Sequence, residues 1–75
     1  MNRQRRARLR AVRHKLSEVR DEIESVRDEE DEARENMPEN LQDSDRYEES
    51  EESSGAMDLA INYIDDAISS IEEAI

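Results

Sequence analysis

Along the first third of the chain the apolar positions are Leu9, Val12, Leu16, Val19, Ile23 and Val26, at alternating spacings of three and four. A stripe with period 3.5 is the mark of a helix that buries one side against another helix. The register continues inward through Glu30, Ala33 and Met37 with a single polar break, which predicts a helix over about residues 3–36. A second stripe, Met57, Ile61, Ile64, Ile68, Ile71 and Ile75, alternates four and three. Traced backwards it meets Ser54, Ser50 and Tyr47, so a second helix is predicted over about residues 44–75. Its weak stretch is Glu48–Gly55, where Ser53, Ser54 and Gly55 lower helix propensity and neighbouring acids repel one another. A disordered acidic linker is the competing reading there. The register survives the gap, which favours one continuous helix.

Between the stripes, Pro38 disfavours the helical conformation at the residue before it and so ends the first helix. A turn is expected over residues 37–43, with Ser44 or Asp43 capping the second helix and Leu41 tucked beneath the helix ends. Folding the chain antiparallel about residue 40 sets Leu9 against Ile71, Val12 against Ile68, Leu16 against Ile64, Val19 against Ile61 and Ile23 against Met57. It also sets Glu30 against Ser50 and Val26 against Ser54, so polar positions coincide. The predicted fold is all-α, a two-helix antiparallel coiled-coil hairpin whose core is those apolar residues together with Val26.

Composition sharpens this picture. The chain has 75 residues, 33% of them hydrophobic, with no Trp, no Phe and two Tyr. A lone hairpin of this make-up buries little against the entropy of ordering it, and chains this short usually need a staple, a metal or a partner. With no Cys there is no disulfide and no thiolate metal site. The second helix has more apolar surface than one partner covers, because Ala60, Tyr63, Ala67 and Ala74 flank the isoleucine stripe. The expected outcome is a second interface: a homodimer forming a four-helix bundle, or docking on another protein. The simpler alternative is that alanine is there as the best helix former.

Charge is unevenly spread. Of 11 bases, seven fall in the first 15 residues with no acid among them, whereas all 22 acids share residues 16–75 with the other four bases. An antiparallel hairpin accounts for this by laying the basic start beside Asp65, Asp66, Glu72 and Glu73. The arm formed by Arg3, Arg5, Arg6, Arg8, Arg10 and Arg13 also suits phosphates, as in a basic-region zipper, although the acidic remainder repels nucleic acid. Conversely, rows of carboxylates on a long hairpin suit imitation of nucleic acid in the basic channel of a nuclease or other defence enzyme.

No catalytic constellation emerges. The run Asp28, Glu29, Glu30, Asp31, Glu32 points in all directions around a helix and lacks the loop spacing of a calcium site. His14 stands between Arg13 and Lys15 without a second His or any Cys to share a metal. No enzyme activity, cofactor or metal is expected. With no apolar run long enough to cross a bilayer and no apolar segment after the basic start, neither a membrane span nor a secretory signal is expected, and the expected address is the cytoplasm of a bacterial host.

The turn Asn36, Met37, Pro38, Glu39, Asn40, Leu41 and Gln42, followed by the Ser44-initiated helix and the C-terminal AINYIDDAISSIEEAI, resembles small acidic proteins of phages and mobile elements of Gram-positive bacteria. The resemblance covers roughly residues 16–75 and leaves out the Arg-rich start. It implies a helical hairpin and such an origin, but no catalytic or binding residues. The function expected is a non-enzymatic interaction module acting by oligomerisation and docking. The alternatives are an acidic inhibitor that mimics nucleic acid and a nucleic-acid binder acting through the basic arm.

Overall fold

A computed structural model describes residues 1–75. Helix α1 runs Arg3–Glu35 and helix α2 runs Asp45–Ala74, joined by a single 3₁₀ turn at Glu39–Leu41. The two helices pack along their length as an antiparallel hairpin 60 Å long and 14 by 11 Å across its Cα positions.

Each boundary has a local cause. Asn2 is extended, and its side-chain oxygen accepts the Arg5 N–H at 2.8 Å, satisfying one of the donors that a helix start leaves free. At the far end the Asn36 N–H reaches the Glu32 carbonyl and the Met37 N–H the Arg34 carbonyl, both at 3.1 Å. Pro38, at φ −56° and ψ 145°, then turns the chain out of the helix. Ser44 caps α2 by accepting the Tyr47 N–H at 3.3 Å, while its hydroxyl donates back to the Leu41 carbonyl. Asp45 and Glu48 lie in that first turn, where the helix dipole favours negative charge. The stretch 48–55 is helical throughout, so α2 is continuous. Leu41 is only partly tucked beneath the helix ends: it lines a groove with Met37, Ser44 and Arg46 and remains 45% exposed.

Two contacts mark the helix register. Ser50 donates to Glu30 at 2.6 Å, and Ile23 lines one groove with Met57. The seam on α2 carries Met57, Ile61, Ile64, Ile68 and Ile71, of which Ile61 is buried and the others half-buried. On α1 the half-buried line is Leu9, Leu16 and Ile23 alternating with Arg13, Arg20 and Arg27, and then Glu30 and Arg34. Val12, Val19 and Val26, expected in the core, stand outside this seam at 41, 48 and 49% exposure. Residues 12 and 13 lie on opposite flanks of the Leu9–Leu16 line, about 100° apart on the helix, and α2 packs on the arginine flank. A flexible arginine stem covers the seam while its head reaches an acid on α2, which a valine cannot do.

Candidate interaction surface

The two long sides of the hairpin have opposite chemistry. On one, the arginine flank forms a ladder. Arg13 approaches Glu72 at 3.9 Å, Arg20 donates to Asp65 at 2.7 Å, and Arg27 donates to Asp58 at 2.7 Å. Donors and acceptors both recur every seven residues, in opposite chain directions, so each rung fits the same antiparallel register. Hydrogen bonds donated to Asp65 and then Glu24 hold the Arg20 guanidinium above its usual pKa, and those donated to Asp58 and then Asp28 do the same for Arg27.

The fourth rung differs. Arg34 Nη1 donates to the Ser50 carbonyl at 3.1 Å and to the hydroxyls of Ser50 and Ser54 at 3.2 and 2.8 Å, while Nη2 donates to Asp31 at 2.9 Å. The Ser54 hydroxyl in turn donates to Asp31 at 2.6 Å. Ser50 and Ser54 are buried, and no buried side-chain polar atom is left without a partner. The expected facing of Glu30 and Ser50 is present. That of Val26 and Ser54 is not, because Ser54 is held by Asp31 and Arg34. The Ser54 hydrogen bond, and after it the Arg34 hydrogen bond and charge, keep the Asp31 carboxyl below the ordinary aspartate range.

The other long side is apolar. Val26 and Ile23 of α1 share a groove with Ala56, Met57 and Ala60 of α2, edged by Glu22. Nearer the open end, Leu9 and Val12 share a second groove with Met1, Arg5 and Arg8. Val12, Val19 and Val26, a heptad apart, thus form one rail of this side, and Ala60 and Ala67, also a heptad apart, form the other. Tyr63 is 68% exposed at the margin, and Ala74 is exposed near the end of α2. The residues foreseen for a second interface are therefore on the surface and joined by the three valines displaced from the core.

The basic arm meets α2 less than its sequence suggests. Arg13 pairs with Glu72, but Asp65 is engaged by Arg20, and Arg3, Arg5, Arg6, Arg8 and Arg10 are exposed and form no ion pair. His14 lies 2.8 Å from Glu18 on the open surface. No three His, Cys, Asp or Glu side chains are grouped to hold a metal ion, and neither helix is long and apolar enough to cross a membrane.

What sequence reasoning missed is the ladder. Its signal was present in Arg13, Arg20, Arg27 and Arg34, each seven apart, and in Asp58, Asp65 and Glu72, spaced likewise. The chain's relations add no functional label: no family model, no curated protein and no solved structure matches it.

Proposed function

We propose that this hairpin is a non-enzymatic interaction module that works by self-association through its apolar side. The observation that supports it most is the row Val12, Val19 and Val26, exposed by nearly half and set beside Ala60 and Ala67, with nothing in the chain to cover it. The surface area agrees in size. The chain exposes 5844 Å², whereas a compact monomer of this mass exposes about 4,800 Å². The excess, roughly 1,000 Å², is comparable with the ~800 Å² that each partner contributes to a standard interface. Two hairpins stacked by these sides form a four-helix bundle, the arrangement that lets each helix bury two flanks instead of one.

Sedimentation equilibrium together with thermal melting tests this reading. The parent is expected to sediment as a dimer at tens of micromolar, with a melting temperature that rises with protein concentration by mass action. Ala67→Arg, which adds bulk and charge on the alanine rail without touching the ladder, is expected to give a folded monomer whose melting is lower and independent of concentration. A parent that is monomeric over that range contradicts the proposal.

A second reading draws on the five arginines between Arg3 and Arg10 that have no acidic partner. Free guanidinium groups along one helical arm suit a polyanion, such as a nucleic acid or the acidic side of another protein. Its signature is binding that weakens steeply as salt is added. The resemblance of the turn to phage and mobile-element proteins suggests an origin for the module and is compatible with either reading.

A further inference from the structure

Charges along the rim of the apolar side carry more information than its hydrophobicity. Arg8 edges the Val12 groove and Glu22 edges the Val26 groove. Seven-residue steps add Lys15 between them and Glu29 beyond, so the outer rim of α1 reads Arg8, Lys15, Glu22, Glu29: two bases, then two acids. All four are exposed, and none forms an ion pair within the hairpin. Such a row is complementary to itself when reversed. An antiparallel copy of α1 places Lys15 beside the other copy's Glu22 and Arg8 beside its Glu29, both pairs centred between residues 18 and 19. The same reversal centres the valines on residue 19, setting Val19 on Val19 and Val12 on Val26. Two independent rows, one charged and one apolar, thus share one centre to within half a residue.

We infer that a second copy of this chain covers the valine–alanine side with its α1 antiparallel on α1, about a two-fold axis at Val19. This rests on the self-association reading and specifies its geometry. The same axis lays α2 antiparallel on α2, at the height fixed by the Glu30–Ser50 hydrogen bond. There Ala60 meets Tyr63 of the other copy and Ala56 meets Ala67, so an aromatic ring lies over a small residue and no like charges are opposed. The alternative stacking, α1 on α2 of the other copy, sets Glu29 near Glu49 and leaves Lys15 beside Tyr63 and Arg8 beside Ser70. Like charges directly opposed are destabilising, and two bases then lose their partners.

The chain has no cysteine, so an introduced thiol reads out cleanly. Val19→Cys is expected to form a disulfide between copies under mild oxidation, and an equimolar mixture of V12C and V26C is expected to cross-link preferentially as the mixed dimer. In the alternative stacking the two α1 helices lie diagonally across the bundle, beyond the ~7 Å Cα limit of a disulfide. Charge reversal provides a second readout. K15E and E22K are each expected to weaken the dimer on the order of tenfold, and the double variant to return to within about threefold of the parent. Because neither residue is paired within the hairpin, circular dichroism of the monomer should be unaltered by these changes. A dimer that forms no V19C disulfide, or whose double variant is no tighter than the singles, overturns this geometry and leaves self-association standing. A monomeric parent removes both.

Discussion

Arg34 organises the half of the hairpin nearest the turn, where the seam changes from isoleucine to serine. Its side chain is only 17% exposed and serves four acceptors on Asp31, Ser50 and Ser54. Serines in a coiled-coil seam contribute little apolar burial, and a closed network of this kind adds specificity instead. Sliding α2 by one heptad would put Ile23 where Glu30 accepts from Ser50, leaving that buried hydroxyl without its acceptor at about 1–3 kcal/mol. Asp31 gives this network a pH dependence. Its folded pKa lies below the ordinary 3.8, so near and below that value the unfolded chain holds the proton more tightly, and stability from this group rises with pH. The contribution is present at neutral pH and is lost as pH falls through the ordinary value to the lower, folded one. Melts of the parent and of Asp31→Asn should therefore differ most at pH 7 and converge towards pH 3. A difference that is constant across that range would show that Asp31 is not charged within the network.

At the scale of the element, each helix carries a local weakness. The first turn of α1 has no acid, and the last turn of α2 has no base, both against the preference of the helix dipole. Towards the open end the one cross-helix ion pair is that of Arg13 with Glu72 at 3.9 Å, and the bases of the first turn of α1 have no acidic partner. Gly55 is a different weakness. It sits inside α2 without a positive φ, and a Cβ added there meets nothing within 4 Å. Gly55→Ala should stabilise the hairpin by about 0.5–1 kcal/mol, raising the melting temperature by about 4 °C in a chain of this size. No gain would mean that α2 is already interrupted at this point in solution. The helices and their turn were legible from the apolar period and Pro38, because α2 has isoleucine at both alternating positions and admits one seam. In α1 the Leu9–Leu16–Ile23 line is flanked by valines on one side and arginines on the other. A rule that ranks apolar above charged residues assigns the valines to the core. The choice depends on the acids of α2, which no reading of α1 alone contains, and so the ladder and the valine rail of the apolar side emerged only when both helices were in place.

For the whole molecule, the distribution of charge decides how assembly responds to salt. Each chain carries a net charge of −11, but the α1 rim row Arg8, Lys15, Glu22 and Glu29 sums to zero, so the excess acid lies off that row. Two copies therefore repel over long distances while their rims attract at contact. Raising the ionic strength from 0.01 to 0.15 M shortens the screening length from about 30 to about 8 Å, which removes the distant repulsion first. Contact pairs are weakened less, and apolar burial hardly at all in this range. The dimer is accordingly expected to tighten over that interval, as measured by sedimentation at matched protein concentrations. Association through the basic arm has the opposite sign. If Arg3 to Arg10 of one chain gripped the acidic flank of another, added salt would screen the attraction itself, and the complex would dissociate between the same two buffers. The direction of the change thus separates a hairpin that stacks on its apolar side from one that joins end to side through its charges.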